Sequence, residues 1–66
     1  FMRRLSPRQK QALQLVLLGL RSKEIATAMG ITPRTVDGYI VAACAAVGEV
    51  GRLKGAIKAQ SLGMLE

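Results

Sequence analysis

Apolar residues fall along this chain in four short blocks with helical spacing, and a glycine stands at or just past the end of each block. In the first, Leu13, Leu17 and Leu20 recur with Ala12 and Val16 between them, which lines one face of a helix. Ser6 before Pro7 gives an N-cap and a proline at the first helical position, and Gln9 completes a capping box. Gly19 ends the block with a left-handed turn that brings Leu20 back onto Leu15, so a helix is expected over 7–18. Ser22 is placed to cap the second block, and Glu24 falls in its first turn, where the helix dipole favours negative charge. Gly30 stops it, giving 22–29. Thr32 caps the third block and Pro33 opens it, while Ile31 and Val36 bracket the cap as a hydrophobic staple. This helix spans 33–47 and stops at Gly48. The fourth follows Gly51, spans 52–62, and closes with Gly63 and its apolar follower Met64. No segment alternates with the two-residue period of a strand, so the expected fold is all-α with four helices.

Only three residues separate the second and third helices. Helices joined so tightly cross at a steep angle, and the second of them projects from the body of the domain. That is a helix-turn-helix, whose second helix is offered to the major groove of DNA.

At about 100° per residue, Val36, Ile40, Ala43 and Val47 share the core stripe of the third helix, with Tyr39 and Cys44 at its edges. Arg34, Asp37, Gly38, Val41, Ala42 and Ala45 take the opposite face. Arg34 can fork onto guanine O6 and N7, clamp a phosphate, or remain a solvated arginine at a helix start. Thr32 and Thr35 lie where hydroxyls and first-turn N–H groups meet a phosphate, although capping alone explains Thr32. Val41 and Ala42 are placed to touch a thymine methyl, and Gly38 to allow close approach to the groove wall. Asp37 either accepts from cytosine N4 or orients an arginine. Arg21 and Lys23 flank the start of the second helix, which crosses the DNA backbone in this motif, so each is a phosphate contact or a solvated charge. Tyr39 is a core-edge residue or a phosphate contact. Cys44 is a small buried apolar residue or a redox group.

In the fourth helix, Leu53, Ala56, Ile57 and Gln60 are expected to face the body. Gly55, Ala59 and Leu62 are expected outside as a narrow strip, with Lys54 and Lys58 beside it. Such a strip suits close contact across a two-fold axis. A symmetric pair places two recognition helices on half-sites about 34–36 Å apart.

Composition narrows the function. Ten Lys and Arg against four Asp and Glu give a net charge of +6, which suits a polyanionic partner or a merely solvated basic surface. The chain has no histidine and a single cysteine, Cys44, so no internal disulfide forms; no enzymatic role, metal or cofactor is expected. The longest apolar run, from Tyr39 to Gly48, is half of the ~20 residues needed to span a bilayer, and no signal-peptide pattern is visible. A cytoplasmic setting is expected. Residues 1–5 are expected to be a linker remnant, and 6–66 the domain. At 66 residues the domain lies near the lower limit for independent folding, which points to support from a second copy or a neighbouring domain.

Leu5-Ser6-Pro7-Arg8-Gln9, Gly19 to Ala26, Gly30 to Asp37, and the closing Lys58 to Leu65 resemble the LuxR/GerE-type helix-turn-helix domain of bacterial transcription regulators. The resemblance covers almost the whole chain. It implies a four-helix, usually C-terminal domain that binds DNA as a dimer and regulates transcription, with RNA polymerase as a further partner. The ending is most similar to quorum-sensing members, whose upstream domain binds an acyl-homoserine lactone; response regulators with a receiver domain are the alternative. Carried over by position, base contacts fall on Asp37, Gly38 and Val41, and backbone contacts on Lys23, Thr32, Arg34 and Thr35. One stretch departs from the pattern. Where the family has basic residues late in the third helix, this chain has Ala42-Ala43-Cys44-Ala45-Ala46. The uncharged run favours a different reading, a protein-interaction module that kept the fold and lost DNA. A sigma-factor-like helix-turn-helix fits less well, because the closing Leu62-Gly63-Met64 is not expected there.

Overall fold

The computed structural model describes residues 4–66, which form four helices with no strand among them. The helices are α1 (Pro7–Leu17), α2 (Ser22–Met29), α3 (Pro33–Val47) and α4 (Arg52–Ser61). Leu18 and Leu62, expected inside the helices, are instead their C-cap residues.

The capping chemistry explains these limits. Ser6 Oγ accepts from Gln9 N–H at 3.2 Å, and Gln9 Oε1 accepts from Ser6 N–H at 2.9 Å. Thr32 Oγ1 accepts from Thr35 N–H at 3.2 Å. The expected cap at Ser22 is corrected. Arg21 is the N-cap residue, and since its side chain has no acceptor, only the return half of a box forms, with Glu24 Oε1 accepting from Arg21 N–H at 2.9 Å. Ser22 is the first helical residue, which frees its hydroxyl for another partner. Gly30 holds φ at +70° between α2 and α3, a conformation that strains residues with a Cβ, and Ile31 N–H returns to Ala26 C=O at 3.0 Å.

The third helix runs through the centre. It packs against α1, α2 and α4, whereas α2 and α4 lie on its flanks and meet through the side chains of Ser22 and Arg52. Leu13, Ile25 and Val36 are the largest fully buried side chains, and no polar side chain is buried among the described residues. Leu5, assigned to the linker from sequence, is only 5% exposed and belongs to the core; Arg4 is exposed, and 1–3 of that assignment lie outside the described residues. Arg8 ties α1 to the end of α2, donating from Nη2 to Met29 C=O at 2.8 Å and from Nη1 to Gln11 Oε1 at 3.1 Å. A cation there complements the C-terminal dipole of α2. Gln14 Nε2 holds the closing segment by donating to Leu65 C=O at 2.6 Å.

The orientation expected for α4 is met at Ala56, which is buried, and at Leu62, which is exposed, but it is overturned at Leu53, Gly55, Ile57, Ala59 and Gln60. Gly55, Ala56 and Ala59 face inward and are buried, so Gly55 and Ala59 cannot form an outer strip. Leu53 and Ile57, expected inside, are 55% and 51% exposed. Small side chains on α4 let it approach α3 closely around Cys44, and that close approach leaves no room for leucine or isoleucine at position 55.

Candidate nucleic-acid interface

The core stripe of α3 is as its spacing predicts: Val36, Ile40, Ala43, Cys44 and Val47 are buried and Tyr39 is half-buried. Its other face is open. Arg34, Asp37, Gly38, Val41, Ala42 and Ala45 are all exposed, with Val41 at 68%. A Cβ added at Gly38 would meet nothing within 4 Å, so no packing inside the chain requires glycine there. Thr32 and Thr35 are exposed at the start of the helix, their hydroxyls 2.9 Å apart. Arg21 and Lys23 are exposed at the start of α2. The predicted DNA-contacting residues therefore lie on the exposed surfaces of α3 and the start of α2.

Asp37 is not free within this face. Its Oδ1 accepts from Ser22 Oγ at 2.6 Å and from Arg52 Nη2 at 3.2 Å, and the same Nη2 donates to Ser22 Oγ at 2.8 Å. Three helices meet at this cluster. Of the two readings of Asp37 from sequence, orienting an arginine is the one the geometry matches. Sequence reasoning missed both partners, because Ser22 and Arg52 are separated from Asp37 by 15 residues on either side.

Around the cluster the charge is sparse. Within α3 only Arg34 and Asp37 are charged, and they cancel. Burial raises the Cys44 thiol above its ordinary range; nearby Arg52 opposes the shift and Glu49 adds to it. Cys44 is therefore a neutral packing group at physiological pH.

Val50 is fully exposed in the loop just before α4, and Leu53 and Ile57 are exposed within the helix. Lys58 leans the other way, 3.9 Å from Glu49 Oε2. Of the strip expected from sequence, Leu62 alone is an exposed apolar residue. No described helix is long and apolar enough to cross a membrane.

The family model described as Sigma-70, region 4 matches residues 1–47. It represents a helix-turn-helix DNA-binding region shared by sigma-70 factors and LuxR/GerE-type regulators. No curated protein and no solved structure matches the chain. The match takes in α1, α2 and α3 and leaves α4 and the closing segment outside. The first 47 residues thus fit a helix-turn-helix family that takes in sigma factors as well as LuxR/GerE-type regulators.

Proposed function

Because the chain belongs to the sigma-70 region 4 family of helix-turn-helix DNA-binding regions, we propose that it binds duplex DNA in transcription regulation, with α3 in the major groove. The observation that carries this reading is the open face of α3, exposed from Arg34 to Ala45 while its other face is sealed in the core. Arg34 and Val41 reach base edges, and Gly38 allows the groove wall to approach. Arg21, Lys23, Thr32 and Thr35 meet phosphates. Asp37 acts through its arginine partner rather than on a base. Ala42 lies alongside as an apolar contact.

Within the family, we assign the chain to the LuxR/GerE-type regulators, on the closing Lys58 to Leu65 that lies beyond the matched residues. In that reading it is a non-enzymatic cytoplasmic effector domain that acts as a homodimer, answers a quorum-sensing or receiver domain, and engages RNA polymerase. A second reading, a protein-docking module, is favoured by one observation: from Gly38 to Val47 the exposed face of α3 carries no charge.

Binding of a labelled duplex titrated with salt separates the two. The DNA reading expects affinity that falls steeply with salt and an Arg34→Ala variant with relaxed base preference. No complex at low salt would support the docking module.

A further inference from the structure

The α3 face lacks the positive charge that a phosphate-lined groove calls for, and the structure supplies it from another helix. Arg52, the first residue of α4, reaches across to Asp37 on α3 and Ser22 on α2. We propose that Arg52 is a DNA-backbone contact of this domain, with Asp37 and Ser22 as the residues that position it. The inference rests on the duplex-binding reading above.

Three observations carry it. First, the placement: Asp37 lies one turn beyond Arg34 on the exposed face of α3, and Ser22 begins α2, the helix that crosses the DNA backbone in this motif. A guanidinium bonded to both stands where these two surfaces meet. Second, the donors: both internal bonds use Nη2, so Nη1 and Nε make no hydrogen bond among the described residues. An arginine has five donor hydrogens in a planar fork, and those on Nη1 and Nε remain for a phosphate. Third, the charge: an unaccompanied carboxylate at position 37 would repel the backbone, and Arg52 cancels it. With Arg52 included, the face changes from neutral to a net charge of +1, from Arg34 and Arg52 against Asp37. A purely structural purpose is a weaker account. The pair is 41% and 54% exposed, and ion pairs in water add little to stability.

The test uses the 66-residue chain and a labelled duplex of mixed sequence, since a phosphate contact does not depend on an operator. Binding is followed by fluorescence anisotropy between about 50 and 200 mM salt. Arg52→Gln is expected to lower the slope of log affinity against log salt by about 0.9, and to weaken binding about five- to tenfold near 0.1 M salt. Arg52→Lys, which keeps the charge, is expected to restore the slope. Lys10→Gln, which removes a charge beside the closing segment, is expected to leave the slope unchanged.

If Arg52→Gln lowers the melting temperature but leaves the slope as in the wild type, Arg52 only braces the helices and the proposal is overturned. Should that variant fail to fold, Asp37→Asn with Arg52→Gln leaves no unpaired charge. Its slope is then compared with that of Asp37→Asn alone: a fall of about 0.9 supports the phosphate contact, and equal slopes overturn it. Failure of the duplex reading looks different: the wild type itself would show no complex at low salt, whereas failure of this proposal alone leaves wild-type binding and its Arg34 dependence intact.

Discussion

Gly55 of α4 lies so close to Cys44 of α3 that a methyl group at position 55 would overlap the sulfur and stand 3.2 Å from Cys44 Cβ. Glycine in a helix interior costs roughly 1 kcal/mol against alanine, so this position gives up helix stability for contact between helices. Overpacking a tight interior costs about 1–3 kcal/mol, more than alanine would recover. Gly55→Ala is therefore expected to lower the melting temperature, and adding Cys44→Ala to recover part of the loss. Thermal denaturation of the two single variants and the double variant checks this as a cycle. A Gly55→Ala protein more stable than the wild type would mean that α4 moves aside freely.

Gly30 presents the opposite case. Nothing lies within 4 Å of where its Cβ would be, so the cost of a side chain there is purely that of the backbone at φ +70°. Gly30→Ala is expected to lose about 1–2 kcal/mol and Gly30→Asn clearly less, because asparagine tolerates the left-handed region. Urea unfolding of the pair measures the difference. Equal losses would point to a steric cause that the structure does not contain.

Local chemistry made the fold legible in the sequence. Each helix end is written in neighbouring residues, Ser6 with Gln9, Thr32 with Thr35, and the glycines after α2 and α3, and each lies within a residue or two of its expected place. The exposed face of α3 followed because its apolar stripe is continuous and its other side is not. The orientation of α4 did not follow. A rule that buries the larger apolar residues fails when small ones permit a closer approach, and that depends on what α3 presents, a relation between positions 44 and 55 that no periodicity records. The partner of Asp37 was hidden for the same reason, since Arg52 meets it only after the chain has turned through the loop between α3 and α4.

The thiol of Cys44 gives the stability of the domain a pH dependence with a fixed sign. Burial raises it, Arg52 pulls it down, and Glu49 raises it. The unfolded chain then loses this proton at a lower pH than the folded one. The stabilising contribution is fully present below the ordinary thiol value, and it is lost as pH rises past that value toward the folded one. Cys44→Ala is expected to flatten the alkaline decline in unfolding free energy, and native Cys44 to react slowly with a maleimide at pH near 8. An alkaline decline identical in wild type and Cys44→Ala would assign it to other groups.

The proposed homodimer has to use a different surface of α4 from the one expected out of the sequence. Gly55 and Ala59 are committed to the core, while Leu53 and Ile57 stand in water one helical turn apart on α4 and Val50 is exposed in the loop just before it. Two side chains form a small seam, so association is expected to be weak in solution and to strengthen when two copies share one duplex. Ile57→Glu places like charges face to face across the two-fold axis and is expected to abolish cooperative binding to a duplex carrying two half-sites about 34–36 Å apart. Affinity for a single half-site should stay the same, because Ile57 lies more than a helical turn beyond Arg52 and makes none of the proposed base or phosphate contacts. Sedimentation of wild type and variant on paired and single sites measures both quantities. Cooperativity that survives Leu53→Glu and Ile57→Glu together would place the dimer contact elsewhere, whereas its loss with single-site binding intact would locate the seam on this line of α4.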